Sequence, residues 1–486
     1  MKFLKQFNHN FIFIVMTDNQ KTVVDFTSLT NAYLEASNSQ NYVKNFVKGL
    51  DEKLIRKISA DKKEPKWLLE HRLKSLELFL SIPNPSCGPD ISKLNLDGIR
   101  YYATADTKKN AKSWDEVDPE IKATFEKLKI PESERAFLAG VGTQYESEVV
   151  YHSLKEKWAK KGIIFLDLDV AVHEHEEIVK KYFMKCVPNT DHKYAALHGA
   201  VFSGGTFLYV PNGVILDEPL QAYFRMNSES MGQFEHTLII LEDDSEADYI
   251  EGCSAPKYGE DSLHAGCVEV YLAKNAKFRY SSVENWSTNT YNLNTKRAIV
   301  GENSRMQWVG GNLGSAVTML YPASVLVGNN AQSDYLGIAV ASKNQNQDTG
   351  AKVTILADNC RANIVAKSIS KDSGVSTYRG IVDIKANAKN AVVNIECDAL
   401  LFGNAVSDTI PKISVGNDSA SVTHEASVGK ISEEVLFFLE TRGISEAKAK
   451  GMIVNGFLDE VVKTLPMEYS VELNHLIELE MEGSIG

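Results

Sequence analysis

A chain of 486 residues, 43% hydrophobic and 24% charged, is long enough for two or three structural regions around a substantial core. Its net charge of −12, with Lys and Arg only in short pairs and triplets, argues against nucleic acid or an anionic membrane as a partner. Six cysteines (Cys87, Cys186, Cys253, Cys267, Cys360, Cys397) show no CxxC spacing, which excludes a locally written zinc knuckle or four-thiolate motif and fits free intracellular thiols better than a disulfide framework.

The first residues, MKFLKQFNHNFIFIVM, carry an apolar run from Phe11 to Met16, too short for a membrane span and short for a signal sequence. Met16 is an alternative start, and a cytoplasmic location is expected. Residues 17–197 form an N-terminal helical and mixed α/β region. Apolar residues recur at helical intervals in 39–59 and 63–82, with Pro65 near a first turn and a loop over 83–115. The pattern predicts a helix over 143–162, a strand over 163–172 and a further helix from His173. The run His173, Glu174, His175, Glu176, Glu177 lacks HExxH spacing and reads as a solvated first turn.

From His198 the pattern turns to β, and 198–420 is the expected core. Six units recur between Leu238 and Leu400, each a strand-like run, a polar Asn/Asp/Ser/Ala break and a second run. With Leu238, Val268, Ala298, Val325, Val353 and Val382 equivalent, the spacings are 30, 30, 27, 28 and 29 residues. A drifting period built from β-type runs predicts a strand solenoid. After Ile413 the chain is expected to leave it for a helical domain over 421–486, with helices near 432–442, 445–464 and 467–482 that cap the open solenoid end. Ser432 and Ser445 suit N-caps, and Gly443 a C-cap.

No GxxxxGK[ST] phosphate loop and no GxSxG is present, and GGNLGS (310–315) reads as a structural turn. Cys253 and Cys397 each lie fifteen residues past the chosen equivalent position of their repeats. That offset places them on one line, four rung intervals or roughly 20 Å apart, too far to share a metal ion. Buried free cysteine is usually a small core hydrophobe, the reading for Cys87, Cys186 and Cys360. Cys397 differs because the tail returns His424 and Glu425 toward it. Together they offer a thiolate, an imidazole and a carboxylate, a set competent for iron or zinc. A β-solenoid also suits a polysaccharide lyase or hydrolase, which the apparent lack of a signal peptide disfavours, or a purely structural interaction scaffold.

The runs DHKYAALHGAVFSGGTFLYVP, GQFEHTLII, YIEGCSAP, SLHAGCVEV, ENWSTNTYNLNTKRA, WVGGNLGS, ECDALL, SDTIP, HEA and MIVNGF resemble the SufBD family, and specifically its SufB branch, from about residue 20 to the C-terminus. That branch supplies the scaffold of the SUF iron–sulfur cluster assembly machinery. The resemblance implies a right-handed parallel β-helix between helical regions and a non-enzymatic scaffold role. Implied partners are the SufD paralogue, the SufC ATPase docked on the C-terminal helices, a sulfur donor of the SufS with SufE or SufU type, and apo-protein or carrier acceptors. The implied cofactors are a transient nascent cluster, ATP through SufC and, in some relatives, reduced flavin. By motif, Cys253 is a sulfur-receiving thiol and Cys397 an assembly-site thiol near Glu425 and His424. Arg225, Asn227, Trp286 and Lys296 are similar to the family's sulfur path. Glu284 stands where some members carry Gln, and Thr423 where some carry Glu.

Overall fold

A computed structural model of the chain describes residues 49–105, 140–145, 147–226, 230–255 and 260–463, with short strands at Ile12–Thr17, Gln20–Asp25 and Val43–Lys44. The expected helix at 467–482 and the sulfur-path candidate Asn227 lie outside the described residues.

Runs rich in Val, Ile, Tyr and Thr, broken at regular intervals by Asn and Asp, have no helical period and bury themselves only by stacking on copies of the same run. They do so as a solenoid of about seven turns. One wall stacks Thr206–Val210, His236–Leu241, Cys267–Leu272, Thr295–Val300, Ala323–Leu326 and Lys352–Ile355 in parallel. A second stacks Leu220–Arg225, Glu246–Ser254, Lys277–Asn285, Arg305–Leu313, Gln332–Ala341, Arg361–Ser370, Val392–Leu401 and Ser421–Lys430. The third is built of shorter strands from Gly232–Gln233 to Asn346–Thr349. It merges with the first wall in Val375–Ile384, which Val406–Val415 follows over its full length.

The corner between the first and second walls is made by Asp244, Asn275, Asn303, Asn330, Asn359 and Asn390, all with φ between 55° and 62°. Asn and Asp tolerate this left-handed conformation because their short polar side chains bond locally. Here they also bond one another: Asn275 donates to Asp244 at 2.7 Å, Asn303 to Asn275 at 3.1 Å, Asn330 to Asn303 at 2.9 Å and Asn390 to Asn359 at 3.1 Å.

Several sequence expectations need correction. Residues 143–162 are no single helix: Gly140–Tyr145 and Glu148–Leu154 pair antiparallel, and only Glu156–Ala159 is helical. The β-branched Val149 and Val150 suit a strand better than a helix. The strand expected over 163–172 is confined to Ile164–Asp167, because the Asp167 side chain accepts from the Asp169 N–H and starts the helix Leu168–Glu174. The helix Lys193–Val201 crosses the boundary placed at 198, and the first core strand begins at Thr206. At the other end the chain does not leave the solenoid after Ile413, since Ser421–Lys430 forms one more rung.

The helices Glu52–Asp61, Lys66–Ser81 and Lys193–Val201 cover the third wall through Tyr101, Tyr194, Phe234, Leu263 and Tyr291. Arg72, fully buried, fastens them: its guanidinium bonds the Glu64 carboxylate at 2.6 and 2.8 Å and the carbonyls of Ala200 and Phe202 at 3.0 and 2.9 Å. The C-terminal helices Glu433–Glu440 and Glu446–Val462 do not cap the open end. Val454, Leu458 and Val462 lie instead on the flank of the second wall, against Ile250, Val283, Val309, Ile338 and Ile369. Ser432 caps the first of these helices, and Gly443 (φ 79°) makes the turn after it. The last rung is therefore open, with Val406, Ile410, Ile413, Val415 and Val428 exposed.

The corner ladder gives a direct expectation. Asn303→Ala loses both the left-handed preference and the inter-rung bonds and lowers stability by about 1–2 kcal/mol. Asn303→Gly keeps the backbone freedom and costs less. Urea midpoints at unchanged slope measure both; equal losses would show that backbone conformation is not the governing factor.

Candidate functional site

Side chains of the second wall alternate between the solenoid interior and its outer face. Ladder register therefore decides what can meet what. Cys253 is 2% and Cys397 4% exposed, and both belong to the interior cluster. They do not share an offset. Cys397 stacks in register on Ala366, Gly337, Gly310, Ser282 and Glu251, whereas Cys253 stacks on Glu284, Asn312, Ala339, Ser368 and Ala399. The two thiols thus lie on adjacent inward columns, five rung steps apart rather than four, or about 24 Å. The six equivalent positions span five intervals, not four, and their equivalence slips from the first pair on, because Leu238 pairs with Glu269 and not with Val268.

The two columns joining the thiols are made of small or polar residues. Gly310, Ala366 and Ser368 face inward yet stay partly solvent-accessible. The next inward column, Tyr249, Tyr280, Trp308, Tyr335, Ile364 and Ile395, is bulky and fills the other side of the bore. A narrow cleft enters from the open end past Cys397 and Tyr378 and stops at Gly337 and Tyr335.

Cys253 sits in a buried charged cluster. Lys296 donates to Glu284 at 2.8 Å and to Ser282 at 3.1 Å and lies 3.9 Å from Glu251. Glu284 also accepts from Asn292 at 2.6 Å and from Trp286 at 3.3 Å. Asn292 bonds His264 at 2.8 Å, and His264 bonds Glu235. The Cys253 sulfur is 3.9 Å from Glu251. Burial, then the Glu251, Glu284 and Glu235 carboxylates, push the Cys253 thiol well up, with Lys296 opposing. Burial raises Glu251 to about 7 against the pull of Lys296. For Glu284, burial is outweighed by Lys296 and His264, which hold its carboxyl below the usual range.

At the open end the Cys397 sulfur is 3.5 Å from His424 Nε2. Burial pushes this thiol up to about 12, with the nearby Tyr378 hydroxyl opposing.

Of the residues singled out by sequence, Lys296 and Trp286 are interior and join the Cys253 cluster. Arg225 does not. It pairs in register with Ser254, on the outward face, and bonds that hydroxyl at 2.8 Å. Glu425 pairs with Glu396, one residue out of phase with the inward Cys397 and His424, so the alternation directs it to the outer face. Sequence reading missed Glu251, Glu235, His264 and Asn292. Their signal is an acid, His or Asn in an otherwise apolar strand run. The His173–Glu177 run gathers no site: His173 bonds the Lys62 carbonyl and Glu176 the Trp67 indole. GGNLGS is not a turn throughout: Gly310 to Leu313 end the strand Arg305–Leu313, and only Gly314 and Ser315 turn, with a Cβ on Gly314 falling 1.7 Å from the Trp286 carbonyl oxygen.

Two family profiles match in succession. Residues 141–222 fit the "SufBD protein N-terminal region", and 224–457 fit "SUF system FeS cluster assembly, SufBD core domain". Iron–sulfur cluster assembly SufBD family proteins of Staphylococcus aureus (strains MRSA252 and USA300) and Staphylococcus haemolyticus (strain JCSC1435) are each 54% identical over 440 residues, covering 90% of this chain and 94% of theirs. The chain belongs to the SufBD family. It is thereby a component of SUF iron–sulfur cluster assembly. Among the described residues no helix is long and apolar enough to cross a membrane.

For this SufBD chain the charge cluster makes a pH-signed prediction. Lys296→Met leaves Glu284 and Glu251 buried without their ammonium and costs about 3 kcal/mol at pH 8. Unpaired buried carboxylates have folded-state pKa values raised above the unfolded ones, so their stability contribution is present at low pH and lost as pH rises. The deficit should therefore shrink toward pH 5. Denaturant titrations at both pH values check this, and a deficit that grew on acidification would contradict it.

Proposed function

We propose that the chain is the scaffold on which an iron–sulfur cluster is built, in the manner of the SufB branch it resembles. The observation that supports this reading best is the pair of small-residue columns joining a buried thiol, Cys253, to a second thiol, Cys397, at the open end beside His424. A plain interaction scaffold has no need of small-residue columns that run from one buried thiol to another.

In this reading a persulfide donor of the SufS type, with SufE or SufU, meets Cys253. The Cys253 thiolate attacks the terminal sulfur, the donor departs as thiolate, and Cys253 carries the persulfide. Glu251, raised to about 7 and 3.9 Å away, accepts the thiol proton near neutral pH. Because Cys253 is buried, delivery requires the end of its strand to open. At about 24 Å, direct exchange with Cys397 is too long, so sulfur travels the bore along Ser282, Gly310, Gly337 and Ala366. Reduction of sulfane sulfur to sulfide takes two electrons from an outside donor, the place for a reduced flavin. Iron(II) binding at Cys397 expels the thiol proton and recruits His424. The two residues alone leave most coordination positions open, which suits a cluster that must be passed on to acceptors. Glu425, directed outward, would reach the same metal only after a local change or across an interface.

The exposed last rung offers unpaired edges to a paralogue of SufD type, whose strands would complete the coordination sphere. ATP hydrolysis is assigned to a SufC-type partner on the C-terminal helices, where Phe437 and Phe438 are 67% and 54% exposed. Those two rings give the docking test: Phe437→Glu with Phe438→Glu should lower ATPase affinity at least tenfold by titration calorimetry while leaving the melting temperature intact. Unchanged affinity would remove this face from the interface.

Anaerobic reconstitution with both partners, iron(II), a persulfide donor and reductant tests the assembly reading. Cys397→Ala should abolish cluster formation. Gly310→Val, which fills the bore without touching either thiol, should slow it severalfold when sulfur enters as persulfide and leave it near normal when free sulfide is supplied. A Cys397→Ala chain that assembles and transfers clusters normally would favour the plain scaffold instead.

A further inference from the structure

A second thiol-containing cluster lies outside the bore, where the helix Lys193–Val201 rests on the first wall. His198 comes from that helix, and His236 and Cys267 open consecutive strands as register partners. All three are 0–2% exposed. A ligand atom from each lies within 4.8 Å of the other two.

A hydrogen bond at His198 and a nearby carboxylate at His236 assign the outer nitrogens of the two imidazoles. His198 Nδ1 lies 2.9 Å from the Ala265 carbonyl oxygen, which only accepts, so Nδ1 carries hydrogen. His236 Nε2 lies 3.2 Å from a Glu269 carboxylate oxygen. That carboxylate accepts the backbone N–H groups of Met184, Cys186 and Val187 at 2.6, 2.7 and 2.7 Å, the surroundings of an anion. A nitrogen lone pair aimed at it would be repelled, so Nε2 carries the hydrogen of His236, although it lies off the line of a good hydrogen bond. The inner nitrogens, His198 Nε2 and His236 Nδ1, then face each other with lone pairs at 2.9 Å, beside the Cys267 sulfur. Two lone pairs at that distance require a positive charge between them.

A shared proton would satisfy the nitrogens alone. A metal ion also uses the sulfur, and the surroundings match what orients metal-bound histidines, a carboxylate on one outer N–H and a backbone carbonyl on the other. We propose that His198 Nε2, His236 Nδ1 and Cys267 Sγ bind one borderline-soft divalent cation, with zinc as its representative, and that Glu269 and the Ala265 carbonyl hold the imidazoles in place. Bonds of about 2.0–2.1 Å to nitrogen and 2.3 Å to sulfur put tetrahedral donors roughly 3.3–3.6 Å apart, so the site closes by about 1 Å at the sulfur and opens slightly between the rings. Cys267 binds as thiolate, releasing one proton to solvent. The ion would clamp the helix layer to the first rungs. With no accessible donor, it is taken up as the chain folds.

The test uses the full chain carrying Cys253→Ala and Cys397→Ala, which removes the bore thiols and separates this site from the assembly reading. The chain is unfolded in chelator and refolded with cobalt(II), a coloured stand-in for zinc. One equivalent per chain is expected, with visible bands of tetrahedral intensity and a near-ultraviolet thiolate-to-cobalt band. Adding Cys267→Ala should abolish the near-ultraviolet band, and His236→Asn should cut cobalt retention at least tenfold, with folding checked by circular dichroism. If Cys267→Ala fails to fold, His236→Asn and zinc protection of Cys267 from alkylation after refolding carry the test. Less than a tenth of an equivalent bound by the parent chain, a thiolate band that survives Cys267→Ala, or alkylation of Cys267 unaffected by zinc would each overturn the proposal and leave a shared proton between the imidazoles.

Discussion

In-register parallel stacking governs this molecule. Each residue of the second wall lies on its counterpart one rung below, so any choice of side chain is repeated, tolerated or interrupted down a whole column. The asparagine corners work because like stacks on like and amides bond one another from Asp244 to Asn330 and from Asn359 to Asn390. The aromatic column from Tyr249 to Tyr335 fills one side of the bore by the same rule, with Tyr249 and Tyr280 ring centres 5.4 Å apart and Tyr280 and Trp308 5.3 Å apart. The small-residue columns are the rule applied in reverse, and they leave space where a uniform core would leave none.

Deeper in the same columns, beyond the limit of that cleft at Gly337 and Tyr335, the interior carries buried charge. Lys296, Glu284, Glu251, Glu235 and His264 stand inside the solenoid, where an unpaired ion would be prohibitive. They persist because each is bonded to another. For His264, burial works against the imidazolium, yet the Glu235 carboxylate and Glu284 outweigh it and hold its pKa above the ordinary value. A hydrophobic filling of the same volume would be no less stable, so packing stability alone does not account for the cluster. Glu251, raised by burial to about 7, is also the member beside the sulfur.

The solenoid was legible in the sequence because its period is, but its phase was not. Anchoring the repeats on apolar residues slipped the register by one at Val268, and one residue in a strand is the difference between inside and outside. The corner residues carry the phase instead. Asp244, Asn275, Asn303, Asn330, Asn359 and Asn390 each precede by nine residues a member of the column from Cys253 through Glu284, Asn312, Ala339 and Ser368 to Ala399. Counting from them would have placed Cys397 on the Glu251 column and Glu425 on the outer face. The hairpin at 140–154 was misread because its apolar residues also satisfy a helical spacing, and only pairing with Leu220–Arg225 decides the matter. His198, His236 and Cys267 could not be grouped from sequence, since the helix and strands that bring them together are joined only by tertiary packing.

The two ends of the solenoid are treated in opposite ways, and the difference follows from the same stacking rule. Over the early rungs the third wall is covered by the N-terminal helices, and the sheets end in the antiparallel strands Glu148–Leu154 and Ile164–Asp167. At the far end Val406–Val415 and Ser421–Lys430 each pair on one side only, and the C-terminal helices that could have covered them lie on the flank instead. Ten-residue edges with exposed Val and Ile are an aggregation hazard in an isolated protein. Pro411 and Lys412 in one edge and Lys430 in the other blunt them without closing them. Among the described residues nothing pairs with the outer edge of either strand, and Cys397 and His424 lie just inside this end, so the register that sets the edge also sets which side chains stand behind it.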